Sequence, residues 1–305
     1  MSTNKQKKII VVIGATAVGK TKLCVSLAQQ LNTVVISADS RQFYKEMNIG
    51  TAKPSLEEME EVFHYFIDNK SITEEYNVGL YENEVIATVD QIFASKDVCV
   101  LTGGSGLYVD AVCNGIDEMP KVQESLREKL NMEYKQFGLN KLVKELEQSD
   151  PEYYKNVDVK NVQRVIRALE ICRQTGKTYS SFRKNKVTPR PFQIIKIGLE
   201  RDRDELYARI DKRMDVMIEQ GLFKEVEGLS KYRHHNALQT VGYKEVFDYF
   251  DGLYDIEEAI RLLKRNSRRY AKRQMTWFRR DETIKWFHPE NNKDIEKYIN
   301  EQMEN

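Results

Sequence analysis

The sequence predicts an α/β fold in which a central parallel sheet carries a phosphate-binding loop and is interrupted by a helical insertion; three observations predict it. Ile9–Ile13 form a short unbroken apolar run, the pattern of a parallel strand buried on both faces, and a glycine-rich turn and a helical pattern follow. Similar runs recur at Val34–Ile36, around Phe66–Ile67, at Val98–Leu101 and at Ile194–Ile197, with helical stretches between most of them. Between Pro120 and the Thr188–Pro191 stretch the strand signals stop, and charged helical periodicity takes over at Ser125–Leu130, Leu139–Leu146 and Val162–Cys172. About five strands are therefore expected, in a P-loop NTPase-like core formed by 1–116 and 190–305, with 117–189 as the insertion. After Ile197 the chain reads as helical almost to its end.

Bulk properties exclude little but set the frame. At 305 residues, 41% hydrophobic and 31% charged, the chain can bury a proper core. A net charge of +1 gives no global sign of a nucleic-acid partner, so any basic surface must be local. Cys24, Cys99, Cys113 and Cys172 show neither zinc-site nor disulfide spacing, which fits a reduced, cytoplasmic setting. The polar N-terminus runs straight into an apolar stretch too short for a signal peptide or a membrane span.

Gly14-Ala15-Thr16-Ala17-Val18-Gly19-Lys20-Thr21 matches G-x-x-x-x-G-K-[ST] and stands where the chemistry requires it, after a buried strand and opening a helix. Backbone N–H groups and the helix N-terminus converge there on an anion, Lys20 supplies a point charge, and the Thr21 hydroxyl can hold Mg²⁺. The loop grips a diphosphate or triphosphate without specifying whether a P–O or a C–O bond breaks.

Other residues must decide that. A phosphoryl-transfer enzyme of this fold usually carries a Walker-B aspartate ending a later strand. Here Val98–Leu101 runs into Thr102-Gly103-Gly104-Ser105-Gly106 with no carboxylate. Asp39 instead ends the second strand, at the carboxyl edge of the sheet beside the phosphate loop, where it could bind Mg²⁺, accept a proton, or merely cap a helix. Gly103-Gly104 and the Ser105 hydroxyl face the same edge, although the glycines suit a tight connection equally well.

From Ile260 to Arg280 the chain carries nine Lys or Arg and no Asp or Glu. Arg261, Lys264, Arg265, Arg268 and Lys272 recur at helical spacing, so one face could follow a phosphate backbone, or could be a solvated face paired with acids such as Asp255, Glu257 and Glu258. Trp277 and Phe278 could stack on a base or pack in the core. In Val162–Cys172 one face is apolar, and Gln163 and Arg167 share another.

Taken in order, GATAVGKT, ISADSRQFYKEMNIGTAKP, LTGGSGLYVDA, NVQRVIRALEI, TVGYKE and AKRQMTWFRR resemble the bacterial tRNA dimethylallyltransferase family across nearly the whole chain. The resemblance implies transfer of a dimethylallyl group from dimethylallyl diphosphate to the exocyclic amine of the adenine beside the anticodon, in the tRNA anticodon stem-loop. It also implies that Gly14–Thr21 bind the diphosphate with Mg²⁺ assisting, and that Arg209 and Arg213 reach toward it; their plain alternative is a solvated helix face paired with Asp211 or Asp215. Asp39 is implied as general base, with Lys20 and Ser105 also catalytic; Ser105 stands where the family usually has threonine.

Contacts to tRNA are implied for Asp39, Ser40, Arg41, Gln42, Ser105, Arg127, Gln163, Arg164, Val165, Ile166 and Arg167. The same holds for Gln239, Thr240, Val241, Gly242, Tyr243 and Lys244, the last standing where arginine is common, and for Lys272 and Arg273. A monomer is expected. The rival readings are a small-molecule kinase, prenyl transfer to free AMP or ADP, and a nucleotide-dependent adaptor without turnover.

Overall fold

The computed structural model describes residues 6–184 and 186–304; most of the polar N-terminal stretch, residues 1–5, lies outside them. β1 (Lys8–Gly14) runs through the phosphate loop into α1 (Lys20–Gln30), followed by β2 (Val35–Ser37), the short α2 (Leu56–Met59), β3 (His64–Tyr65), α3 (Val78–Phe93), β4 (Val98–Gly103) and α4 (Gly106–Asn114). Four helices come next: α5 (Glu124–Phe137), α6 (Leu139–Ser149), α7 (Pro151–Asn156) and α8 (Val162–Thr175). The chain then returns through β5 (Gln193–Leu199), α9 (Arg203–Glu219), α10 (Leu222–Gly228), α11 (Tyr243–Phe250), α12 (Ile256–Phe278), β6 (Lys285–Phe287) and α13 (Asn292–Glu304). It divides into two compact units, Met1–Cys113 with Arg190–Asn305, and Asn114–Pro189.

The first unit holds a six-stranded sheet in the order β3-β2-β4-β1-β5-β6, with every neighbouring pair parallel. β1 lies inside the sheet, which is why its run is apolar throughout. Ile10 and Val12 pack on one face with Leu23, Leu27, Ile210 and Ile299, while Ile9, Val11 and Ile13 pack on the other with Val85, Val89, Val109 and Phe278. The alternation of a strand thus serves two cores at once.

Two strand expectations are corrected. The third strand stops at Tyr65, because Phe66 adopts φ 62° and turns its buried ring into the core rather than continuing the ladder. The reading of the chain as helical beyond Ile197 missed β6, a three-residue edge strand on β5. It forms where Trp286 lies over Gly198; a Cβ there would sit 2.4 Å from the indole.

The second unit has its own core, in which Leu130, Leu142, Leu146, Val165, Ile166 and Leu169 interdigitate. Arg173 of α8 ties that bundle together, donating to Glu133 of α5 at 2.8 and 2.9 Å and to Glu145 of α6 at 2.7 and 2.6 Å. A single planar guanidinium therefore spans three helices.

Candidate active site

A cleft of about 310 Å³ opens at the carboxyl edge of the sheet, lined by Thr16, Ala17, Gly19, Lys20 and Thr21 of the phosphate loop and by Asp39, Arg41 and Gln42 after β2. The loop's shape follows from its small residues. Ala17 and Gly19 take φ 63° and 116°, turning successive N–H groups inward, and at Gly14 a Cβ would lie 2.6 Å from the Leu199 carbonyl of β5. Lys20 Nζ donates to the Gly14 and Ala15 carbonyls at 3.0 and 2.9 Å. Burial lowers its pKa from 10.5 to about 8, opposed by the Asp39 carboxylate and aided by Arg213.

Asp39 stands opposite the loop, in a turn rather than at a helix start: its Oδ1 accepts from the Arg41 N–H at 3.0 Å, so the helix-cap alternative does not hold. Ser105 is buried, and its hydroxyl serves the adjacent residue, accepting from Ser40 N–H at 3.0 Å and donating to Ser40 Oγ at 3.0 Å. The glycines before it answer to close packing. A Cβ on Gly103 would come 2.3 Å from the Ala38 carbonyl, and one on Gly104 2.2 Å from Gln274 Nε2.

Gln274 is a site residue that sequence reasoning missed. Buried on α12, it accepts from Thr16 N–H at 2.9 Å and donates to the Gly104 carbonyl at 2.9 Å, tying the phosphate loop to the β4 turn. A signal existed, since Leu263, Ser267, Ala271, Gln274 and Phe278 share the helix's buried stripe and an amide there needs partners. Tyr270 also lines the cleft, its phenol pushed up to about 12 by burial and by Asp39, with a Ser105 hydrogen bond acting the other way. Arg201 was missed too: its Nε donates to the Val18 carbonyl at 3.0 Å and braces the loop from behind.

Arg209 and Arg213 turn toward the loop, Arg209 Nε donating to Ala17 O at 2.8 Å and Arg213 Nη1 to Thr16 Oγ1 at 3.4 Å. The acids that could have paired with them are taken, Asp211 by Arg268 at 2.6 Å and Asp215 by Lys264 at 2.6 Å. Two cations are thereby left to the cleft.

Among the described residues one group has the proximity of a three-ligand metal site, Glu205, His288 and Glu290. The Arg201 guanidinium lies among them, 3.2 Å from Glu290 and 3.4 Å from His288, and fills a cation's place. In the cleft, the Thr21 hydroxyl is a sparse hard-oxygen donor of the kind that suits Mg²⁺ held mainly by phosphate oxygens and water.

The basic stripe on α12 is corrected in part. Arg261, Lys264 and Arg268 are committed to Glu258, Asp215 and Asp211. Arg269, Lys272 and Arg273 are exposed and form no ion pair among the described residues, so the accessible basic surface is narrower than the charge count implies. Trp277 and Phe278 are packing residues: the indole lies on Gly106 and donates to Asp110 Oδ2 at 2.8 Å, and Phe278 is buried.

Within 239–244, Thr240, Val241 and Gly242 line the cleft, and Gln239 and Lys244 are exposed. Tyr243 differs from expectation: it is fully buried and its hydroxyl donates to Glu225 at 2.6 Å, so its side chain meets protein, not RNA. In the insertion Gln163 and Arg164 are exposed, but Val165 and Ile166 are core residues of α8, which corrects their expected contact with RNA. Arg127 and Arg167 converge on the buried Glu170, Arg167 hydrogen-bonded at 3.2 Å and Arg127 Nε 2.6 Å away as an ion pair without hydrogen-bond alignment.

Comparison with known proteins adds to this geometry. Residues 42–281 match the family model described as IPP transferase. The chain is 53% identical to a tRNA dimethylallyltransferase of Cytophaga hutchinsonii, covering 98% of each, and 51% identical to tRNA dimethylallyltransferase 1 of Bacteroides fragilis, covering 96% of this chain and 97% of that one. It resembles the full-length tRNA isopentenylpyrophosphate transferase of Bacillus halodurans at a TM-score of 0.73 and 39% identity, covering 98% and 97%. A eukaryotic dimethylallyltransferase acting on tRNA matches at a TM-score of 0.73 and 28% identity, covering 89% of this chain and 69% of that one.

Proposed function

The chain belongs to the IPP transferase family and is an enzyme that transfers a dimethylallyl group to tRNA; from that premise we propose how its own residues perform the reaction. The substrate is dimethylallyl diphosphate, and the acceptor is the exocyclic amine of the adenine 3′-adjacent to the anticodon. The amine nitrogen forms a bond to the allylic carbon, the carbon–oxygen bond to diphosphate breaks, one amine proton passes to Asp39, and diphosphate leaves with the bonding pair.

The observation that carries this reading is the cleft itself. A phosphate loop with Lys20, Arg209 and Arg213 on one side faces a carboxylate, Asp39, on the other, and β4 supplies no Walker-B acid. Cations on one wall neutralise a leaving diphosphate, and an acceptor on the other removes a proton. Ser105 orients the Asp39–Ser40 turn through Ser40. Mg²⁺, when bound, adds charge neutralisation at the diphosphate; Thr21 would hold it, leaving Asp39 free as base.

A stacked adenine cannot reach this cleft, so the base must leave its loop stack at a cost of about a few kcal/mol. Phosphate contacts supply binding energy to offset it, from Lys272 and Arg273 on α12 and from Gln163 and Arg164 in the insertion, while Arg127 and Arg167 share the single carboxylate of Glu170 and keep one positive charge between them. Asp39–Gln42 and Gln239–Lys244 act on the nucleotide by backbone and exposed side chains. The anticodon stem-loop as the region engaged, a monomeric working form and a cytoplasmic setting belong to the same reading. The four cysteines, free and buried, fit a reducing compartment, and among the described residues no helix is long and apolar enough to cross a membrane.

The test is label transfer. Purified protein with Mg²⁺, radiolabelled dimethylallyl diphosphate and unmodified tRNA, with AMP and ATP in parallel, should place label in tRNA alone. Label in AMP or ATP would move the acceptor to free nucleotides.

A further inference from the structure

Two of the cleft's walls come from distant parts of the chain. Gly50, Thr51 and Ala52 lie after β2, and Thr240, Val241 and Gly242 lie before α11. One carboxylate joins them. Glu225 of α10 accepts from three successive backbone N–H groups, Asn48 and Ile49 onto Oε2 at 3.0 and 2.8 Å and Gly50 onto Oε1 at 3.0 Å. The fourth donor is the Tyr243 hydroxyl, onto Oε1 at 2.6 Å. A carboxylate has about four lone-pair positions, and all are engaged.

The surrounding packing is equally specific. A Cβ on Gly50 would lie 2.5 Å from the Tyr243 ring, so the first wall rests directly on the residue that opens α11. Gln42, two residues beyond Arg41's neighbour Ser40, extends the tie by donating from Nε2 to the Thr51 and Ala52 carbonyls at 3.3 and 3.2 Å. The chain from Asp39 to Ala52 is thus fastened to the 240–243 segment through Glu225, which is not among the residues lining the cleft.

We propose that Glu225 is a positioning residue that fixes the spacing between these two walls, and so holds the pocket that receives the tRNA's target nucleotide. This rests on the reading of both segments as nucleotide-contacting. The phosphate loop lies on β1 and α1 and makes no contact through Glu225, so a defect here separates acceptor binding from donor binding. A residue serving only to hold the fold would produce no such separation.

The experiment is steady-state prenylation of tRNA by wild type, Glu225→Gln and Tyr243→Phe, varying each substrate in turn, with thermal melts alongside. Glutamine offers a single acceptor oxygen and turns an N–H₂ toward backbone donors. Its expected effect is a rise of about tenfold in KM for tRNA, the equivalent of losing one to two hydrogen bonds, with kcat reduced and KM for dimethylallyl diphosphate within about twofold of wild type. Tyr243→Phe, which removes one donor and keeps the ring, should show a smaller change with the same split, and carries the test if the glutamine variant does not fold. Folded variants with wild-type KM for tRNA, or with both KM values raised equally, would overturn the proposal. Failure of the underlying reading is visible separately, as wild-type enzyme that labels AMP and not tRNA.

Discussion

Gln274 offers the most quantitative test of how the site is built. It is 5% exposed and satisfies two backbone groups, Thr16 N–H and Gly104 C=O, each at 2.9 Å. Gln274→Ala strands both. A buried group left unsatisfied costs about 1–3 kcal/mol, so the pair should cost about 3 kcal/mol after partial relaxation. For a chain of this size that is a fall in Tm of about 6 °C, at about 2 °C per kcal/mol. Gly104→Ala should be similarly harmful alone, since its Cβ would arrive 2.2 Å from the amide nitrogen and push Gln274 off both partners. In the double variant the methyl group meets a vacated space, so the two losses should not add. Melting curves for the four proteins give the coupling directly, and KM for dimethylallyl diphosphate reports the loop. Additive losses, within about 0.5 kcal/mol, would refute the account of Gln274 as the tie between the phosphate loop and the β4 turn.

Three further outcomes follow from the same geometry. Lys20 loses its proton as pH rises through about 8, so affinity for dimethylallyl diphosphate should fall above that pH while Lys20→Met binds weakly with no such step; because the unfolded chain holds this proton up to about 10.5, the stability penalty of charging Lys20 fades between those values as binding weakens. Arg213→Ala should raise KM for dimethylallyl diphosphate about tenfold, as for loss of one charge-assisted contact, and leave tRNA affinity within about twofold, which filter binding would check. Replacing the exposed Arg164 and Arg273 by glutamine should weaken tRNA binding and lower the slope of log affinity against log salt by about 1 per arginine, read by titration at several salt concentrations; an unchanged slope would remove them from the phosphate-contacting surface.

What could be read from the chain alone divides along physical lines. The phosphate loop and β1 were legible because their signals are local: an unbroken apolar run, then glycines and a lysine at fixed spacing. Asp39 was legible because strand ends and ligand sites coincide in such sheets. β6 was not, because three residues in a charged context carry no periodicity and the strand forms only where Gly198 admits Trp286. The α12 stripe was read too broadly for a similar reason. The acids that neutralise Lys264 and Arg268 sit about fifty residues earlier on α9, and only folding brings them together. Glu225 looks like any glutamate on a polar helix until the turn at Asn48–Gly50 is set against it. Val165, Ile166 and Tyr243 show the converse, where segments matched as a whole include side chains whose work is packing.

Asp39, as proposed, removes the amine proton in a cleft whose other wall holds the diphosphate. The direct measurement is single-turnover prenylation of tRNA by Asp39→Asn beside wild type, with tRNA and dimethylallyl diphosphate binding measured on the same preparations. Transfer should be slowed by about 10²–10⁴-fold with both affinities within a few-fold of wild type. A folded Asp39→Asn protein that transfers the group at the wild-type rate would contradict it.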